Sequence, residues 1–457
     1  MAKKKVANKK EVLKKKSANR KAYPPAYFLS LSVENVRCFG PEQTIDVSNG
    51  HGRPAQWTVI LGDNNAGKTT LLQCFVAIEP FFSDEDEPYP RFLYANRERK
   101  YRLRRREEKD GFSIHSKVCL GAKISELEKR IDTNIVDLMV RKISTSGTPY
   151  SKSYGGLKCY GYGASRIMGK PTLSEKESTN ATASLFRDDV ELINAEEWLL
   201  QADYSAKASK TSSRIGQRAL KRRDQIREVL INLLPEVYDI RVTKPTEKNL
   251  KPQVEFETPY GWVKLDGLSL GYRAMITWMV DLASRMFERY RKSRNPLAEP
   301  AIVLIDEIDL HLHPKWQRTI MRYLSDCFVN TQFIVTAHSP LVVQAAANAN
   351  IVLLRREGNH VVIDNNPVSV LGWRADQILT SLFELDSSRS VEITELQKQR
   401  RKLLSKAKLT KTDKEKLKKI ESQMGALPVA ETPEDIEAMD IIRRAANNLK
   451  KRESNQK

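Results

Sequence analysis

The chain of 457 residues is 40% hydrophobic and 29% charged, with a formal net charge of +20. This describes a soluble globular protein of two or three domains with polar appendages, and favours a polyanionic or an acidic protein partner. No apolar run approaches the length of a membrane span, the Met-Ala-Lys-Lys-Lys start lacks an apolar signal core, and Cys38, Cys74, Cys119, Cys159 and Cys327 form no CxxC pair, which argues against membrane insertion, secretion, a zinc site or a disulfide framework and fits a reducing cytoplasm. Residues 1–22 hold nine lysines and one arginine against Glu11. The tail over 1–26 is expected to be disordered and to act as a loose tether for nucleic acid. Without its +9 the remainder still carries +11. After Tyr23-Pro24-Pro25, residues 28–33 alternate as a strand and 43–47 give a second, so a hairpin leads toward the first motif.

That motif is Gly62-Asp63-Asn64-Asn65-Ala66-Gly67-Lys68-Thr69, which fits G-x-x-x-x-G-K-[ST] at every position. The apolar run Trp57-Thr58-Val59-Ile60-Leu61 before it reads as a buried strand, and 70–76 after it has helical apolar spacing. Strand, glycine-rich loop and helix form the context a phosphate loop needs. The glycines let backbone N–H groups turn around phosphate oxygens, and the helix N-terminus adds partial positive charge. Lys68 is placed to reach the β- and γ-phosphates, and Thr69 to offer its hydroxyl to Mg²⁺. A chance glycine-rich turn is the alternative for an isolated match, and the later motifs tell against it.

Residues 83–110 turn from acidic to strongly basic. Arg102, Arg104, Arg105 and Arg106 form either a phosphate-contacting patch or a solvated helix face. Residues 112–160 read as strand-poor, Tyr160-Gly161-Tyr162-Gly163-Ala164-Ser165-Arg166 as a strand end running into a loop, and 171–190 as polar and mobile. The spacing predicts helices between 195 and 234 with a break at 205–213, then strands at 254–257 and 261–265 joined by a turn at Pro259-Tyr260-Gly261. Leu268-Ser269-Leu270-Gly271 precedes a helix expected over 274–285. Residues 301–305 are a fully apolar strand, as in a parallel sheet, ending in Asp306 and Glu307. Beside Lys68, Asp306 is placed to hold Mg²⁺ through water and Glu307 to polarise an attacking water; without Lys68 they would read as a polar strand end. Residues 332–337 are another buried strand, with His338 opening on the same crevice or serving the structure alone.

The order of these motifs resembles the ABC-type ATPase head of SMC, Rad50 and RecF proteins, and Asn35-Val36-Arg37-Cys38-Phe39 resembles their first hairpin. The runs from Asp306 to Pro314 and from Thr336 to Pro340 resemble the branch holding the OLD ATPases and antiphage ATPase subunits. Residues 375–379 and 385–390 resemble the PtuA ATPases of Septu defence systems. The resemblance implies an α/β fold: an ABC-ATPase head, a RecA-like mixed sheet with flanking helices, plus helical insertions and a C-terminal helical arm. It implies ATP and Mg²⁺, with Gly62, Asn64, Asn65, Gly67, Lys68, Thr69 and Thr70 in the Walker A loop, and Thr69 and Asp306 on the metal. Glu307 becomes the catalytic base, His338 the γ-phosphate sensor and Arg37 a neighbour of the nucleotide. Ser269 and Gly271 become the signature that meets ATP bound on a second protomer. The magnesium-sensing glutamine of that family is not evident; its region holds residues 162–166.

There is no room for a long coiled coil, and residues 346–457 lack the early Glu and Asp-x-Asp of a Toprim nuclease. The expected organisation is a head with halves at 27–194 and 251–378, a helical insertion at 195–250, and a charged helical arm at 379–457. A hairpin is expected at 351–363, a helix pair over 392–421 with Thr412 and Glu415 as a capping box, and a last helix from Thr432 with one apolar face. The resemblance implies an antiphage ATPase that forms head dimers or larger homo-oligomers and controls a separate HNH nuclease, with weak non-specific nucleic-acid binding and no membrane partner. The alternatives are a PARIS-type defence ATPase with a Toprim partner and a RecF-like repair ATPase without a nuclease.

Overall fold

The continuous apolar runs become the strands of one central sheet in the computed structural model. The structure describes residues 24–82, 88–90, 113–121, 123–129, 134–141, 156–171, 180–209, 212–245, 251–346, 348–365, 370, 372–383, 385, 387, 389–405 and 410–424. In chain order the main elements of the first compact unit, residues 1–378, are β1 (Ala26–Glu34), β2 (Gln43–Asp46), β3 (Trp57–Gly62), α1 (Lys68–Ile78), β4 (Ser113–Leu120), β5 (Asn134–Arg141) and β6 (Cys159–Tyr162). They continue with α2 (Ala195–Ala208), α3 (Arg214–Leu233), β7 (Asp239–Val242), β8 (Val254–Thr258), β9 (Gly261–Lys264) and α4 (Leu270–Arg289). Last come β10 (Ala301–Ile305), α5 (Ile320–Cys327), β11 (Thr331–Thr336), β12 (Asn350–Glu357) and β13 (His360–Asp364).

The central sheet has the order β13-β12-β3-β11-β10-β6, parallel except for the β12–β13 hairpin. All residues of β3, β10 and β11 are buried. The parallel register brings the carboxyl ends of these three strands to one edge, where loops can converge on a ligand. A second, antiparallel sheet has the order β2-β1-β4-β5. Two buried or half-buried amides join the sheets. Gln332 of β11 accepts from Phe28 N at 2.9 Å and donates to Phe28 O at 2.8 Å, while Gln43 donates to Val361 O at 2.8 Å and accepts from Ile363 N at 2.6 Å. Each amide thereby satisfies backbone groups that burial would otherwise leave costly. Phe28 and Phe75 of α1 meet at 4.8 Å between ring centroids within the same apolar cluster as Ile334.

Several local expectations give way to the tertiary structure. Residues 113–141 supply β4 and β5, although polar residues mixed into β4 disguised it as strand-poor; Ile114, Ser116, Val118, Cys119 and Leu120 are the buried ones. Ser184 and Leu185 are buried in a short 3₁₀ turn, where Ser184 Oγ donates to Gly161 O at 2.9 Å and Gln73 Nε2 to Leu185 O at 2.6 Å. The polar composition of that segment therefore serves contacts. Helix α2 runs on to Ala208, past the start of the expected break, and α4 begins at Leu270, so Gly271 lies in its first turn. Strand β7 pairs with β8 across the expected boundary at 250. The basic tail, the run at 97–106 and the helix expected from Thr432 lie outside the described residues.

Asp281 of α4 is 1% exposed. It receives Arg285 Nε at 2.6 Å and the Tyr162 hydroxyl at 2.9 Å, and burial followed by the Asp281 charge pushes the Tyr162 phenol well above its ordinary range. Asp281→Ala strands both donors, so urea unfolding is expected to show a loss of about 3–5 kcal/mol. A change below about 1 kcal/mol would mean that the pair is dispensable.

The second unit, residues 379–457, contains α6 (Val391–Leu404) and α7 (Lys411–Met424), joined by the Arg400–Glu421 ion pair at 3.1 Å. The cap of α7 is not at Thr412 and Glu415. Thr410 Oγ1 accepts from Asp413 N at 3.1 Å, and Asp413 Oδ2 accepts from Thr410 N at 3.1 Å. The shorter aspartate returns to the N-cap N–H, and the helix starts one residue before Thr412. Among the described residues no helix is long and apolar enough to cross a membrane.

Candidate nucleotide-binding site

The loop between β3 and α1 is shaped by contacts that only glycine permits. Gly67 has φ +87°, and a Cβ there would fall 2.4 Å from Cys38 Sγ and 2.9 Å from the Phe39 ring. The first hairpin thus presses against the loop and fixes its course. Asn64 and Asn65 are exposed at its crest, Asn65 with φ +66°. Lys68 is 7% exposed, and its Nζ donates to Gly62 O at 2.7 Å and Asp63 O at 2.8 Å. Burial lowers its pKa, opposed by Asp306 and Glu307. Arg37, with φ +49°, donates from Nη1 to Thr70 Oγ1 at 3.1 Å.

The carboxylates sit two strands along the same edge, with β11 between. Thr69 Oγ1 donates to Asp306 Oδ2 at 2.6 Å, and Thr336 Oγ1 donates to Asp306 Oδ1 at 2.6 Å. The Thr336 hydroxyl also accepts from Glu307 N at 2.7 Å. Both oxygens of Asp306 are therefore aimed, and Glu307 is carried on a turn with φ +49°. Arg166, from the loop after β6, donates from Nη2 to the carbonyl oxygens of Asp306 and Glu307, each at 2.6 Å. Its burial lowers its pKa to about 10, so it is cationic at neutral pH. Asp309 Oδ2 accepts from His338 N at 2.9 Å, and its buried Oδ1 has no hydrogen-bond partner among the described residues. Ser339 Oγ donates to Gln317 Oε1 at 2.6 Å, while Gln317 Nε2 donates to Leu312 O at 3.0 Å.

Ser269 is the exposed N-cap of α4 and makes no side-chain capping bond. Gly271 is buried, and a Cβ on it would meet His311 O at 2.3 Å. The start of α4 is thereby seated on the loop that follows Glu307.

The donor set suits Mg²⁺. The Thr69 hydroxyl and the Asp306 carboxylate are hard oxygen ligands already at 2.6 Å from one another, and Mg²⁺ usually takes one or two protein oxygens with phosphate and water completing its shell. No group of three or more His, Cys, Asp or Glu residues is arranged to hold a metal among the described residues, as such a site does not require one.

Lys68, Thr69, Thr70, Arg37, Asp306 and Glu307 are thus linked around one edge of the sheet, with His338 tied in through Asp309. Ser269 and Gly271 stand apart on α4. Sequence reading missed the linking roles of Arg166, Thr336 and Asp309. Thr336 lies two residues before His338 and Asp309 two after Glu307, so their nearness to the motifs was the available signal.

A phosphate loop leaving an interior strand of a mostly parallel sheet, with paired acids at the end of the next strand but one and an antiparallel sheet packed on the other side of α1, is the arrangement of an ABC-type ATPase head. Residues 30–236 match the family described as "AAA domain", and residues 184–344 match "AAA domain, putative AbiEii toxin, Type IV TA system". The chain is homologous to Septu PtuA: that of Bacillus mycoides (strain KBAB4) is 25% identical over 386 residues, covering 83% of this chain and 48% of the relative. It is also related to a retron Ec83 probable ATPase of Escherichia coli, 42% identical over 118 residues, which cover 26% of this chain and 21% of that protein. The chain spans about half the length of the PtuA relative. The crystal structure of an SMC head bound to the C-winged helix domain of ScpA aligns with a TM-score of 0.45 at 16% identity, covering 74% of this chain and 97% of that one.

Proposed function

We propose that the chain binds and hydrolyses ATP as the ATPase subunit of an antiphage defence assembly, and that it controls a separate HNH nuclease. The observation that carries the ATPase reading is the hydrogen-bonded run Thr69–Asp306–Thr336–Glu307, which joins the phosphate loop to the paired acids. In this reading the backbone amides from Gly62 to Gly67 and the Lys68 ammonium receive the phosphates. Arg37 flanks them beside Thr70, and Thr69 and Asp306 would hold Mg²⁺. A bound Mg²⁺ supplies neutralisation of phosphate charge. Glu307 accepts a proton from the attacking water, and His338 faces the terminal phosphate. Such a site does most of its work by positioning and electrostatics. Ser269 and Gly271 would complete the site on a second copy, which makes the active unit a dimer or larger homo-oligomer.

Homology to PtuA supports the defence role and the nuclease partner. Nucleic acid would be held weakly and without sequence preference by basic stretches at 3–21 and 97–106, with affinity falling steeply as salt rises. The charged helical arm at 379–457 suits protein contact better than nucleic acid. Co-expression with the HNH protein tests this: a chain truncated at Ser390 is expected to lose the nuclease or its own oligomer while keeping ATP affinity. Co-elution of the truncated chain with the nuclease at full assembly size would refute that assignment.

A further inference from the structure

Arg166 is 4% exposed, yet among the described residues it forms no direct ion pair, its buried Nε has no hydrogen-bond partner, and only the charges of Asp306, Asp309 and Glu307 nearby offset its burial. A guanidinium taken out of water without a carboxylate partner is costly. What it holds instead is main chain: the carbonyl oxygens of Asp306 and Glu307, at 2.6 Å each. Both Arg166, with φ +40°, and Glu307, with φ +49°, are left-handed non-glycine residues. Such residues are strained and persist only where their surroundings fix them. The segment behind Arg166 is fixed in this way. Leu192 N donates to Ile167 O at 2.8 Å, Gly169 N to Leu192 O at 3.0 Å, and Asn194 Nδ2 to Gly169 O at 2.7 Å while its Oδ1 caps α2. The guanidinium thus reaches the acids from an anchored loop. Thr336 restrains the same turn from the opposite strand, through Glu307 N.

We infer that Arg166 is a positioning residue for hydrolysis, holding the main chain at 306–307 in the left-handed turn that aims Glu307, while nucleotide affinity stays with Lys68 and the phosphate loop. This role rests on the ATPase reading above. It differs from that of a side chain meeting phosphate or metal, because the two bonds end on backbone oxygens of the acids themselves.

The test compares wild type, Arg166→Gln and Arg166→Lys for ATP turnover, affinity for a fluorescent ATP analogue, and thermal melting. The Arg166→Gln/Glu307→Gln double variant is set against Glu307→Gln in single turnover. Arg166→Gln is expected to lower kcat at least about tenfold, with KM and the analogue's Kd within about threefold of wild type. Arg166→Lys, which keeps a charged donor on a shorter stem, recovers part of the rate. In the Glu307→Gln background the Arg166→Gln change has no further effect, since a residue that only aims Glu307 has nothing left to aim. A wild-type kcat in Arg166→Gln overturns the inference. So does a rate loss that follows nucleotide affinity or the folded fraction, or one that adds to that of Glu307→Gln. Absence of ATP turnover by the wild-type chain would instead refute the ATPase reading itself.

Discussion

Replacing Lys68 by alanine is expected to abolish ATP binding at working concentrations. Its ammonium is the buried cation of the phosphate loop, 7% exposed, and already turned onto the carbonyls of Gly62 and Asp63. Removing a hydrogen-bonded charge from a desolvated contact costs about 2–5 kcal/mol, roughly 30- to several thousand-fold in Kd. The fold should survive, because α1 keeps Leu71, Leu72, Phe75 and Ile78 in the core. Calorimetric titration with ATP checks this, alongside a melting curve. Affinity within about tenfold of wild type in a folded Lys68→Ala chain would remove the loop from nucleotide binding.

Glu307→Gln should have the opposite profile, with ATP retained and turnover lost. The amide keeps the shape of the carboxylate but cannot take a proton from water, and loss of a general base lowers rates by about 10²–10⁴. The contact with Thr336 runs through Glu307 N and is untouched by the substitution. Copies joined across bound ATP then have no exit by hydrolysis, so the dimer or larger assembly should accumulate with ATP and be measurable by light scattering. Turnover near that of wild type would assign the base to another group.

The candidate site was legible because strand, loop and paired acids are written in contiguous residues. Gly62 to Thr69 and Asp306-Glu307 each carry their own local context, and β3, β10 and β11 are apolar throughout. Arg166 was visible as a residue but not as a contact. Its partners are backbone oxygens 140 and 141 positions away, and a carbonyl leaves no trace in side-chain pattern. The same holds for Gln332 and Gln43, whose amides read as ordinary polar residues until two sheets are brought together. β4 was obscured because one strand mixes buried Ser116 with exposed Lys117. The Thr410–Asp413 cap was missed because two overlapping patterns fit the same short stretch, and only the helix start decides between them.

The position of β3 also bears on how the chain comes off the ribosome. Its neighbours on both sides, β11 and β12, begin at Thr331 and Asn350, whereas β3 ends at Gly62. At ordinary synthesis rates, roughly 15–50 s pass between emergence of the phosphate loop and emergence of the first strand able to flank it. Throughout that interval the apolar Trp57-Thr58-Val59-Ile60-Leu61 has both edges open, a state prone to pairing with other nascent chains. The N-terminal half therefore depends on β1, β2 and β4 for early order, and those strands pair with one another within the first 120 residues.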